Sequence, residues 1–89
     1  MEHTAEWKIK LFLFEHENGS TAQVVLDTGV TTLHGEGHAG QYPDGRMAPE
    51  IDTEIAAGRA LINLGERLTA IGVADAADAA VAAAERVVG

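Results

Sequence analysis

His34, Glu36 and His38 alternate along one short stretch of the chain. In an extended strand all three side chains leave the same face. Imidazole nitrogen and carboxylate oxygen are the ligand types zinc takes, and spacing decides which of them can share an ion. His34 and His38 would lie about 13 Å apart along a strand, too far for one ion, whereas His34 and Glu36 at about 6.7 Å could share it. In the hairpin register derived below, Thr21 separates Glu36 from His16 on the same face, so His16, His34 and Glu36 are the candidate metal ligands. An open sheet surface offers these groups neither a cleft nor the outer partners that orient metal-binding imidazoles. The expectation is therefore no resident metal and no cofactor, with weak adventitious zinc or nickel binding at most.

Catalytic chemistry has less to stand on. Ser20 is the only serine, and it flanks a turn. Gly35-Glu36-Gly37 lacks the further glycine, lysine and helix start that make a phosphate loop. Glu50 and Glu54 stand one helical turn apart and could pair as acid and base, but acids at a helix start are accounted for by the helix dipole. The chain has no cysteine, which removes thiol nucleophiles, thiolate zinc sites and disulfides and fits a reducing compartment, so a cytoplasmic location is expected. No catalytic residue is assigned, and the chain is expected not to be an enzyme.

These side chains must be placed by secondary structure. Trp7, Ile9, Leu11 and Leu13 alternate with Lys8, Lys10, Phe12 and Phe14, the period of a strand. Asn18-Gly19 predicts a two-residue type I′ hairpin turn. That turn sets Leu13 against Val24 and Leu11 against Leu26 on the core side, with Phe12 against Val25 and Lys10 against Asp27 on the other. Thr28-Gly29 predicts a second turn, placing Leu33 beside Val24 and Thr31 beside Leu26. A third strand from about Val30 to Ala39 then carries Gly35 and Gly37 on the core side, where a closely approaching helix backbone or a bulge would explain glycine. Gly40 to Ala48, with Pro43-Asp44-Gly45, reads as a surface connection.

Pro49 suits a first helical turn, and Glu50, Asp52 and Glu54 follow it. The helix carries two apolar stripes: Ile51, Ile55 and Ile62 with Gly58 and Gly65, and Ala57, Leu61, Leu64, Leu68 and Ile71. Two stripes require two neighbours. Gly72 is expected to end this helix and Asp75 to cap a short alanine-rich one over about 74–88, with a seam of Val81, Ala84 and Val88. The second neighbour is then that short helix or a partner chain. The fold class is α+β, a three-stranded antiparallel meander with one long helix across one face and a short C-terminal helix, β-β-β-α-α.

At 89 residues and 9.3 kDa the chain is expected to be one domain over 1–89, with a radius of gyration of about 12 Å if compact. Its net charge is −8, shared evenly between residues 1–48 and 49–89, which argues against basic tails, nucleic-acid binding and amphipathic membrane arms. The apolar run from Leu11 to Phe14 is too short to span a bilayer. Phe12, Phe14 and Val25 instead form an apolar patch on the sheet face away from the helix, beside Thr32. Two exposed phenylalanines in one patch suggest a protein contact, with self-association favoured.

The motif Pro49-Glu50-Ile51, Glu54, Arg59-Ala60-Leu61 and Leu64, with Trp7, Gly19, Thr21, Leu33, Gly35, Gly37 and Ala39, resembles a small actinobacterial family of unknown function over roughly residues 7–70. The resemblance implies a fold like the double-stranded-RNA-binding domain, and no catalytic residue. Gly58 stands where that family usually has alanine, which suggests tighter helix contacts. RNA binding by such a fold would use basic residues at the start of the helix, where this chain has Glu50, Asp52 and Glu54. The sequence thus favours a small, acidic, non-catalytic interaction or self-association module that works as a homo-oligomer or with a protein partner, its small ligand, if any, unidentified. A metal-dependent protein using His16, His34 and Glu36 is the first alternative, and nucleic-acid binding by fold likeness the second.

Overall fold

The computed structural model describes residues 3–40 and 49–88. Three strands, β1 (Lys8–His16), β2 (Gly19–Asp27) and β3 (Thr32–Ala39), precede one helix, α1 (Pro49–Val88). The strands form an antiparallel meander in the order β1-β2-β3. Apart from Gly40, the connection expected to lie on the surface falls outside the described residues.

Both ladders sit two residues from the expected register. Leu11, not Leu13, faces Val24; Phe12 faces Gln23, and Lys10 faces Val25. The cause lies in the turn. Its loop is Glu17-Asn18, and Gly19 opens β2 with a φ of 137° while no described non-glycine residue has positive φ. A type I′ turn would need Asn18 to be left-handed. In the second turn, residues 28–31 form the loop and Leu26 faces Leu33. The Asp27 carboxylate accepts the Gly29 amide at 2.8 Å, and the Thr28 hydroxyl accepts the Thr31 amide at 3.1 Å, holding this wider loop closed. A two-residue shift leaves every side chain on its expected face, because strand side chains repeat with period two.

The helix lies across β2 and β3. Ala22, Val24 and Leu26 from β2 are buried with Ala56, Ala60 and Leu64 from α1. Gly35 and Gly37 are the reason the helix can come so close. A β-carbon on Gly35 would stand 2.6 Å from the Ala60 carbonyl oxygen, and one on Gly37 would collide with the Ala56 carbonyl and the Ala60 amide. Glycine on the strand and alanine on the helix bring two backbones into contact, as the sequence predicts for these glycines. A β-carbon on Gly58, by contrast, would meet nothing within 4 Å, so the expected tighter contacts there are absent among the described residues.

The expected short C-terminal helix does not exist as a separate element. α1 runs unbroken through Gly72 for 40 residues, about 60 Å at the α-helical rise. Gly72 is not among the described positive-φ glycines, so it makes no left-handed cap. One interior glycine costs a helix only about 1 kcal/mol, and the alanines after it restore propensity. The molecule is consequently long, with extents of 65 × 30 × 19 Å and a radius of gyration of 18.7 Å, well beyond the compact expectation.

Candidate functional site

The two edges of the sheet are finished differently. On the outer edge of β3, Arg59 donates from Nη1 to the His38 carbonyl at 2.7 Å, and Arg67 donates from Nη1 to the His34 carbonyl at 3.2 Å. Between them the Glu36 amide donates to Asn63 Oδ1 at 3.0 Å. Four helical residues rise about 6.0 Å and two strand residues about 6.7 Å, so a polar row at 59, 63 and 67 matches backbone groups at 38, 36 and 34. This clamp occupies an edge that could otherwise pair with another strand. Sequence reasoning missed it, although the steps of four along α1 and of two along β3 carry the signal.

Among the described residues no such cover reaches β1. All nine of its residues are exposed. On the helix side, Ile9, Leu11 and Leu13 keep 56%, 42% and 45% of their surface, because α1 lies over the other two strands. On the far side, Phe12 and Phe14 each keep 46%. The expected contact residues divide accordingly. Phe12 and Phe14 are exposed together, while Val25 is half-buried and sits in the ladder between Lys10 and His34. The apolar surface therefore wraps around the edge strand and does not spread across the sheet.

The polar half of that far face holds the histidines. Register brings His38 to Thr21, whose hydroxyl pairs with His38 Nδ1 at 3.2 Å and with His16 Nε2 at 3.1 Å. Gln23 donates to Glu36 at 3.3 Å one rung away. The expected set of His16, His34 and Glu36 is not assembled, because the two-residue shift places Thr21 opposite His38 in place of Glu36. Among the described residues no three His, Asp or Glu side chains group closely enough to hold a metal ion. A hollow of about 190 Å³ lined by Gln23, His34, Gly35, Glu36 and Arg67 opens at the β3 edge, smaller than the roughly 300–1,000 Å³ of ordinary ligand pockets.

Ser20 and Asp52 are buried under the helix, and Asp52 Oδ1 has no hydrogen-bond partner among the described residues. Ser20 shares a 3.2 Å hydrogen bond with Thr53, whose hydroxyl also donates to Glu15 at 3.5 Å. Glu50 and Glu54 are both exposed on the first turns of α1.

Comparison with known families reaches nearly the whole of this arrangement. The Rv2632c-like family model matches residues 5–85, from before β1 to the last turns of α1. The chain belongs to the Rv2632c-like family. The match extends past the 7–70 span read from motifs and takes in the helix beyond Gly72, in keeping with one continuous α1. No curated protein matches the chain. Among the described residues no helix is long and apolar enough to cross a membrane.

Proposed function

We propose that this Rv2632c-like protein is a small non-catalytic interaction module that works by self-association, with β1 as a contact surface. The observation that carries the reading is an edge strand with exposed apolar side chains on both faces, while the opposite edge is closed by Arg59, Asn63 and Arg67. Unpaired strand edges are templates for another strand, and exposed apolar patches mark contact sites. Total surface supports the same reading. The chain exposes 7010 Å², where a compact monomer of its mass exposes about 5,000 Å². A standard interface covers about 800 Å² per partner, so the excess is ample for association.

Nucleic acid is a poor partner by sign. Glu50 and Glu54 are exposed at the helix start, and the net charge is −8, against the phosphate neutralisation on which such binding depends. The reading is tested by solution mass. Phe12→Asp, on an already exposed position, should halve the mass and leave the circular dichroism spectrum intact; an unaltered mass contradicts the role of β1.

A further inference from the structure

The face of α1 turned away from the sheet has a pattern of its own. From Ile51 to Ala83 its seam advances in alternating steps of four and three residues, the heptad spacing of paired helices. Ile51 and Ile62 on this seam are 45% and 63% exposed. A β-carbon on Gly58, Gly65 or Gly72 would meet nothing within 4 Å. The second neighbour that this stripe needs is not a short C-terminal helix, since α1 continues straight on.

We propose that this seam packs against the same seam of a second copy, with the helices antiparallel and Ile62 seated on the partner's Gly65. Self-complementarity fixes the orientation. In that register Ile51 meets the partner's Ala76 and Gly58 meets the partner's Thr69, so large faces small, while Ile55 at the border of the seam packs against the chain's own core. A parallel pair would set isoleucine on isoleucine and glycine on glycine in alternate layers, which no single helix separation of about 8–10 Å can fill. Antiparallel packing also brings opposite dipole ends together.

The flanks agree in the main. Arg59, which has five N–H donors and commits Nη1 to β3, falls beside the partner's Glu66, twice by symmetry. Leu61, 47% exposed, falls beside the partner's Leu68. Glu54 beside the partner's Asp75 is the one like-charged pairing, a cost of a few tenths of a kcal/mol at an exposed site. Area permits both contacts, because the surface excess of about 2,000 Å² per chain exceeds two standard half-interfaces of about 800 Å² each. The contact goes beyond the β1 reading and uses none of its residues, and two distinct two-fold contacts on one chain can close into a four-chain assembly.

Three variants test it by light scattering after size exclusion. Gly65→Ile fills the space for the partner's Ile62, and its β-carbon meets no described atom of its own chain within 4 Å, so it should halve the mass with helicity retained. The swap Ile62→Gly/Gly65→Ile rebuilds a large-on-small layer and should restore the mass. A spin label on Ala77→Cys should show an interchain separation of about 40 Å, from the α-helical rise and the antiparallel register. A Gly65→Ile protein of unaltered mass, a swap that fails to restore it, or a label separation below about 20 Å overturns the proposal. Phe12→Asp keeps the two readings apart: halving by Gly65→Ile alone sinks the β1 contact, and halving by Phe12→Asp alone sinks the helix seam.

Discussion

Two glycines decide how near the helix comes to the sheet. Gly35→Ala must push its new methyl against the Ala60 carbonyl and the Leu64 amide, backbone that cannot turn aside. Overpacking of this kind costs about 1–3 kcal/mol, and a lower urea midpoint with an unaltered slope is the expected reading. Asn63 is the matching test at the β3 edge. Asn63→Ala takes away the acceptor of the Glu36 amide, at about 1 kcal/mol, and amide exchange at Glu36 should quicken while β2 stays protected. At the histidines, Thr21 lies between His16 and His38, and calorimetry with zinc should give no stoichiometric submicromolar uptake. Such uptake would revive a metal-dependent role. The sequence marked these residues by type and face but not by neighbour, because a register error of two conserves the face and exchanges every partner.

At the scale of elements, the three strands, the start of the helix at Pro49 and the close approach at Gly35 and Gly37 were legible, since each rests on local pattern or on glycine where a side chain would otherwise stand. The end of the helix was not. Gly72 has the residue type of a cap, yet a cap also requires the chain to leave helical geometry, and the alanines from Ala74 onward give it no reason to do so. The width of the two stripes was misjudged as well. The buried row is Asp52, Ala56, Ala60 and Leu64; of these the expected stripes held only Leu64, and Ala56 and Ala60 are the small residues that fit against Gly35 and Gly37. Past Thr69 every residue of α1 with a described side chain is exposed, and most helical stability in proteins comes from packing against a neighbour. In a monomer made by Phe12→Asp/Gly65→Ile, the amides of 73–85 should therefore exchange first and the β2 amides last. Uniform protection along α1 in that monomer would show that the helix needs no neighbour.

For the whole molecule, shape carries the argument. A chain with a radius of gyration of 18.7 Å holds much of its apolar surface where its own core cannot reach it: both faces of β1, and the outward seam of α1. Both surfaces carry exposed apolar side chains, and the net charge of −8 repels polyanions, which is why contact between proteins is the function proposed for them. The most direct measurement is the mass of the unmodified protein by light scattering at micromolar concentration. The account predicts a multiple of the 9.3 kDa chain mass, four chains when both contacts close and two when one does. A single species at 9.3 kDa, persisting at high concentration, would contradict it.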